Sequence, residues 1–289
     1  SVSDSAFCSA NNLDIKDLKV KIEQWKTLVA KERNKKDKPR LDDKVLTAWN
    51  ALMLKGYVDA YTVFNDDHFL NMALKNGHFI VNNMVQEDGG LYRNHKNGKS
   101  NIQAYLEDYA GVTDAFISLY EATLDVSWLQ SAKQFTDYGF DHFYDDESKM
   151  FFFTSDRQSG LITRKVETDD NVIPSSNSIM AHNLFKLGHY FTNKHYLENA
   201  SVMLNNMKNA AVNYGGGSSN WLNLYSNYLG DFYEIAVTGP DALEKIKEFN
   251  QYYIPNKLIV GSTKESKLPL LTYKYDANQT TIYICIDGA

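Results

Sequence analysis

The sequence predicts an all-α fold built from repeated helical hairpins, with a few short strands near the C-terminus. Three observations carry that prediction. Apolar residues recur at helical spacing along most of the chain, an aromatic-Leu-x-x-Ala signature occurs three times, and β-branched runs are confined to the final stretch. The signatures are Phe69-Leu70-Asn71-Met72-Ala73, Trp128-Leu129-Gln130-Ser131-Ala132 and Tyr196-Leu197-Glu198-Asn199-Ala200. Each opens a second helix a few residues after the turn that ends a first one. The alanine, one turn from the aromatic, lets a neighbouring helix approach while the aromatic fills the gap above it. A recurrence of roughly 60–70 residues is longer than the tetratricopeptide or armadillo periods and suits large hairpins with long loops.

Taken in order, the first helix is expected over Leu13–Arg33, where Leu18, Ile22, Trp25 and Leu28 form one stripe. Lys44–Phe64 is apolar on more than one face (Val45, Leu46, Trp49, Leu52, Met53, Leu54), the pattern of a helix buried in a ring of helices, and Asp67–Met84 is its partner. Glu107–Thr123 with Ser127–Tyr144 makes a second pair, and Asn177–Phe191 with Lys194–Val212 a third. A fourth, less regular pair is expected to begin near Ser218 and close with Pro240–Phe249. Lys257–Gly261 and Thr281–Ile286, rich in β-branched residues, read as short strands, and Gly90–Asn94 and Met150–Thr154 as small hairpins. The chain thus reads as one helical-hairpin domain over 1–289, with 1–12 poorly ordered and 250–289 a short-strand extension.

Bulk properties narrow the function classes. With 289 residues, 43% hydrophobic and 23% charged, the chain can bury a sizeable core, which excludes disorder. A net charge of −6 argues against nucleic acid or anionic membranes as partners, since both require a basic face. The local basic run Lys31–Arg40 reads as a solvated helix end. No run approaches the roughly 20 apolar residues needed to span a bilayer. The N-terminus, SVSDSAFCSANN, lacks a signal pattern and reads as an expression boundary or a cut inside a longer chain. Cys8 and Cys285 form neither a CxxC pair nor a zinc spacing, so a reducing, cytoplasmic setting with no metal or other cofactor is expected.

The first pointer to a site is the length and polarity of two loops, Gln86–Leu106 and Asp145–Ser176. Acidic or polar clusters stand at the start of each expected inner helix: Arg40-Leu41-Asp42-Asp43-Lys44, Glu107-Asp108-Tyr109, and Asp169-Asp170 leading into Pro174-Ser175-Ser176-Asn177-Ser178. If the inner helices stand side by side, these clusters converge at one end. Several carboxylates around an aromatic cup suit sugar chemistry, in which one acid donates a proton while another acts as base or nucleophile. Asp43, Glu107 and Asp108 are therefore the acid/base candidates. Arg40, Lys44, Trp49, Asn50, Tyr109, Asp170, Ser176 and Asn177 are candidates to line the cup and bind substrate.

A competing reading applies to each of these. Asp and Ser are the favoured helix N-caps, and Trp49 can equally fill a core. Adjacent residues such as Glu107 and Asp108 point in different directions, so at most one of them faces the cup. The seven histidines are scattered without HExxH, although His182 and His189 share a helix face. Gly215-Gly216-Gly217 lacks the order of a phosphate-binding loop, and no Gly-x-Ser-x-Gly elbow occurs.

The run Pro39-Arg40-Leu41-Asp42-Asp43-Lys44-Val45-Leu46-Thr47-Ala48-Trp49-Asn50-Ala51-Leu52-Met53 resembles a signature of the thioredoxin-domain-containing family of spermatogenesis-associated protein 20 and the bacterial YyaL group. Leu106-Glu107-Asp108-Tyr109-Ala110, Leu119–Thr123, Trp128-Leu129, Asp170 with Pro174–Ser178, Asn183-Leu184, Glu234–Gly239 and Ile284-Cys285 match in the same order. The chain departs from the pattern at Ala51, where the family usually has glycine, and it stops at Ala289, about where a second cysteine commonly follows Cys285. The resemblance implies a thioredoxin-like domain followed by an α/α toroid of the six-hairpin glycosidase type, similar in shape to N-acylglucosamine 2-epimerases. It further implies that this chain is the later part of that ring, a partial toroid without the thioredoxin-like domain. The leading expectation is a domain that acts on or binds a sugar or polyol. The rival is a non-catalytic helical module that docks the thioredoxin-like domain or another protein and exposes an apolar patch. A homodimer through the truncated edge of the ring is also expected.

Overall fold

Two helices with side-chain caps begin the chain. In α1 (Asp4–Asn11) the Ser3 hydroxyl accepts the Ala6 N–H, and in α2 (Ile15–Arg33) the Asp14 carboxylate accepts those of Lys16 and Asp17. α1 lies within the segment 1–12 that was expected to be poorly ordered. Of the stripe predicted on α2 only Leu18 is buried, while Trp25 and Leu28 are 56% and 60% exposed. The computed structural model describes residues 2–158 and 162–286. It divides into two compact units, Ser1–Asp43 and Lys44–Ala289. α1 and α2 belong to the first, and all the following helices and strands to the second.

After β1 (Val45–Leu46) the second unit repeats one helical hairpin three times. α3 (Thr47–Phe64) turns into α4 (Asp67–Met84). The strands β2 (Asn94–Lys96) and β3 (Lys99–Ser100) follow, and then α5 (Leu106–Thr123) turns into α6 (Val126–Phe143). After β4 (Tyr144–Asp145) and β5 (Met150–Phe151), α7 (Ser176–Tyr190) turns into α8 (Lys194–Asn206). The three turns share one construction. A residue just past the first helix takes the left-handed conformation: Asn65 at φ 51°, Leu124 at 58° and Thr192 at 50°. The next residue, Asp66, Asp125 or Asn193, accepts a backbone N–H from the first turn of the second helix. Three positions after that cap comes the signature aromatic, and four further on comes the signature alanine. Ala73, Ala132 and Ala200 are all fully buried. The repeat read from the sequence is therefore a turn, a cap and a packing contact in fixed register.

α3, α5 and α7 pack side by side in one layer, and α4, α6 and α8 each back onto their own partner. Small residues allow the close approach, since a Cβ on Gly111 of α5 would already touch that of Ala51 on α3 at 3.4 Å. α5, in the middle, is buried on nearly every side, with Val112, Phe116, Ile117, Leu119 and Tyr120 fully inside. At about 1.5–3 kcal/mol for each large apolar side chain removed from water, this helix anchors the layer. The aromatics at the hairpin starts join the same core: Trp128 meets Phe116 edge-on at 4.9 Å, and Tyr196 stacks on Phe140 at 5.8 Å.

The expected small hairpins are present with shifted ends. β2 and β3 pair around Asn97-Gly98, both at positive φ as a tight two-residue turn requires. β1 pairs with the other edge of β2, and β4 pairs with β5. The helix predicted over Lys194–Val212 breaks at Met207 into α8 and α9 (Lys208–Asn213); α10 (Ser219–Ser226) then packs on α7.

The fourth hairpin does not form. β6 (Tyr233–Thr238) intervenes, and α11 (Ala242–Phe249) is the crossover that carries the chain to β7 (Lys257–Ser262), parallel to β6. β8 (Thr281–Cys285) pairs antiparallel with the other edge of β6. The predicted strands thus belong to a sheet whose centre was not foreseen. Glu234–Thr238 are all buried, and a strand covered on both faces shows no polar alternation to betray it. This sheet is tied to the helical layer by two phenols: the Tyr120 hydroxyl lies 3.0 Å from the Gly261 carbonyl oxygen, and that of Tyr190 lies 2.9 Å from the Ile259 carbonyl oxygen.

Candidate functional site

Arg93, in the loop after α4, connects the beginnings of two inner helices. Its guanidinium lies over the Tyr105 ring at 4.5 Å and donates to both carboxylates at the start of α5, to Glu107 Oε1 at 2.6 Å and to Asp108 Oδ2 at 3.1 Å. The two adjacent carboxylates face different ways. Asp108 is fully buried and also accepts the backbone N–H of Tyr105 and that of Ala48, each at 2.9 Å. The first of these closes the first turn of α5, and the second caps α3. Glu107 keeps 23% of its side-chain surface open to solvent. Burial raises the Asp108 carboxyl to about 6, against the pull of the Tyr105 N–H and the Arg93 charge.

Tyr109, the next residue, is built into the core. Its hydroxyl accepts the Leu91 N–H at 2.8 Å, and its ring stacks on Tyr138 with centroids 5.1 Å apart. The third cluster is likewise committed to structure. Buried Asp170 accepts the Ser175 N–H at 2.9 Å, the Ser178 hydroxyl at 2.7 Å and the Asn220 N–H at 2.8 Å, fastening the start of α7 to α10. Ser176 donates its hydroxyl to Glu167 at 2.8 Å. Asn177, wholly buried, bonds the Phe151 N–H and carbonyl and the Glu167 carbonyl.

On α3, Trp49 is 59% exposed, and Asn50 donates to the Leu46 carbonyl at 2.8 Å. Lys44 is exposed at the start of the second unit, and Arg40 and Asp43 are exposed in the first. Glu107 and Asp108 are thus brought together, whereas Tyr109, Asp170, Ser176 and Asn177 are spent on internal bonds. Sequence reasoning passed over Arg93, which has no helical phase to mark it. The one signal was its place in the long polar loop Gln86–Leu106. Among the described residues no group of three or more His, Cys, Asp or Glu is gathered to hold a metal ion, and no helix is long and apolar enough to cross a membrane.

Comparison with known proteins adds to this geometry. Residues 24–258 match the family described as beta-L-arabinofuranosidase, GH127 catalytic domain. The chain is 26% identical to human spermatogenesis-associated protein 20, over 96% of this chain and 38% of that one. With the rat protein of the same name the identity is 24%, over 87% of this chain and 35% of the relative. These relatives bear out the resemblance to spermatogenesis-associated protein 20, and the chain spans well under half of their length. Among solved structures, a GH76 alpha-mannanase from Bacteroides thetaiotaomicron superimposes with a TM-score of 0.54 at 16% identity, covering 74% of this chain and 59% of the other. That likeness shows the fold, a partial α/α toroid, as the sequence predicted.

Proposed function

The chain belongs to the beta-L-arabinofuranosidase, GH127 catalytic domain family, and on that premise we propose that it is a carbohydrate-active domain in which Glu107 reacts with a glycosidic bond. The observation that supports this reading is the Arg93 bridge. A guanidinium seated on Tyr105 orients Glu107 at the start of an inner helix, while Asp108 beneath it locks that helix to α3. A carboxylate held through one oxygen by a guanidinium keeps its other oxygen for a sugar carbon or a water molecule, the work of a nucleophile or general base. Asp108, buried and engaged by three donors, is in this reading a positioning residue. The test is turnover of 4-nitrophenyl β-L-arabinofuranoside together with other 4-nitrophenyl glycosides. The wild type is expected to release nitrophenolate from at least one of them, and Glu107→Gln to do so at least about 100-fold more slowly. No turnover of any glycoside by the folded wild type would remove the catalytic reading.

A second reading rests on a different observation. Trp49, Met53, Val63 and Phe64 recur on one face of α3 and are 57–73% exposed. Such a face suits an apolar partner, and the resemblance to thioredoxin-domain-containing proteins nominates the thioredoxin-like domain. Added separately, that domain is expected to raise the melting temperature of the wild type but not of a Trp49→Ala, Met53→Ala double variant. An equal effect on both proteins would dismiss the docking role.

A further inference from the structure

A recess of about 560 Å³ opens between the later turns of α3, α5 and α7, the helix α10, and the α11–β7 segment. It is remote from the Arg93 cluster: Glu121, which lines it, is separated from Glu107 by about 21 Å along α5 at 1.5 Å per residue. Its volume falls within the range of about 300–1,000 Å³ usual for small-molecule sites.

The wall carries both signs of charge. Lys55 donates to both oxygens of Asp59 at 3.0 Å. Burial alone lowers the Lys55 pKa, but the nearby Asp114 and Asp59 carboxylates outweigh it and leave the ammonium above its ordinary range. Glu121 lies 2.8 Å from the Tyr190 hydroxyl and 3.9 Å from Lys186 Nζ. Lys257 donates to the Ile254 carbonyl at 3.2 Å. The ammonium groups of Lys55, Lys186 and Lys257 thus share the wall with the carboxylates of Asp59 and Glu121, while Asp114, outside the lining, adds a third negative charge near Lys55. With the charges this close to balance, an anion would have to compete with the carboxylates already beside Lys55 and Lys186.

What the wall offers is alternation of strong donors and strong acceptors. A hydroxyl uses both at once, donating to a carboxylate while accepting from an ammonium. Asn223 and Asn250 line the recess too, and each side-chain amide carries two N–H donors and one acceptor. Phe185 and Phe232, with ring centroids 4.8 Å apart, add an apolar surface against which the C–H face of a ring can lie.

We infer that this recess binds a neutral polyhydroxylated molecule of monosaccharide size, at a site separate from Glu107. The inference stands on the cavity and its charge pairing, and does not depend on the reading of Glu107.

The experiment is a titration of the isotopically labelled protein followed by amide NMR. Its probes are L-arabinose, D-mannose and myo-inositol, with D-galacturonate as the anionic control. At least one neutral probe is expected to shift the amides of Glu121, Asn223 and Asn250 and to leave those around Glu107 unmoved. Lys186→Met and Asn223→Ala are each expected to weaken that binding at least fivefold, with the rest of the spectrum preserved, and Glu107→Gln to leave it unchanged. Saturation by galacturonate at lower concentration than any neutral probe would overturn the inference. So would shifts centred on Glu107, or no response to any neutral probe at millimolar concentration. A Glu107→Gln variant that loses turnover but still binds the neutral probe separates the two sites, and loss of one reading leaves the other standing.

Discussion

The Asp108 carboxylate accepts the backbone N–H of Ala48 at 2.9 Å, so a side chain of α5 caps the neighbouring helix α3. The same carboxylate accepts the N–H of Tyr105 and a bond from Arg93, and it has no solvent exposure. Replacing it strands two main-chain donors and a half-buried guanidinium. Asp108→Ala is expected to lower stability by about 3 kcal/mol, in the range for breaking a buried ion pair on one side. Glu107→Gln, at a partly exposed site, should change stability by less than about 1 kcal/mol. Urea unfolding of the two variants checks the contrast.

Titration of Asp108 adds a pH signature. Burial raises its carboxyl from 3.8 to about 6, so between these values the native state holds a proton that the unfolded chain has released. The contribution of this group to stability is then fully present below about pH 4 and is lost as the pH rises through 6. Asp108→Asn removes the titration. The unfolding midpoint of the wild type, relative to that variant, should fall from pH 4 to pH 7 and then level off. A relative rise over that interval would place the folded-state value below the ordinary one.

Gly188 sits where α7 meets the start of α8. A Cβ there would stand 2.6 Å from Leu197 Cγ and 3.2 Å from the Leu197 backbone nitrogen, so α8 itself would have to retreat. Gly188→Ala should destabilise by about 1–3 kcal/mol despite the better helix propensity of alanine. Gly139→Ala on α6 meets nothing closer than Met180 Cε at 3.5 Å and should be neutral or stabilising by up to about 1 kcal/mol. Equal effects at the two positions would contradict the packing assigned to α7 and α8.

Thr192 is an exposed β-branched residue at φ 50°, the hairpin position that Asn65 fills in the first repeat. β-branched side chains tolerate this conformation poorly, whereas asparagine visits it readily. Thr192→Asn should raise stability by roughly 1 kcal/mol, visible as a higher denaturation midpoint with an unchanged slope.

The hairpins were legible because their signals are local. Helical periodicity places α3 to α8, and the Phe69, Trp128 and Tyr196 signatures mark the register at which outer helices dock. β6 was not legible, because a doubly covered strand such as Glu234–Thr238 has no period to read, and α11 looked like half of a hairpin for want of it. At the site, the sequence brings Glu107 and Asp108 into view but cannot say which carboxylate is a cap. That depends on the Ala48 N–H, sixty residues away along the chain. Asp170 and Asn177 show the same ambiguity: their bonds to Asn220 and Phe151 arise from tertiary packing. Arg93 was invisible for a related reason, since a loop residue acquires its partners only when α5 is in place.

The most direct test of the role of Glu107 is chemical rescue. Glu107→Ala should keep the fold and lose turnover of whichever glycoside the wild type cleaves, and added formate or azide should restore part of it by supplying a small anion where the carboxylate stood. Turnover in Glu107→Ala equal to that of the wild type, or a loss that no small anion repairs while Arg93 and the fold remain intact, would contradict the account.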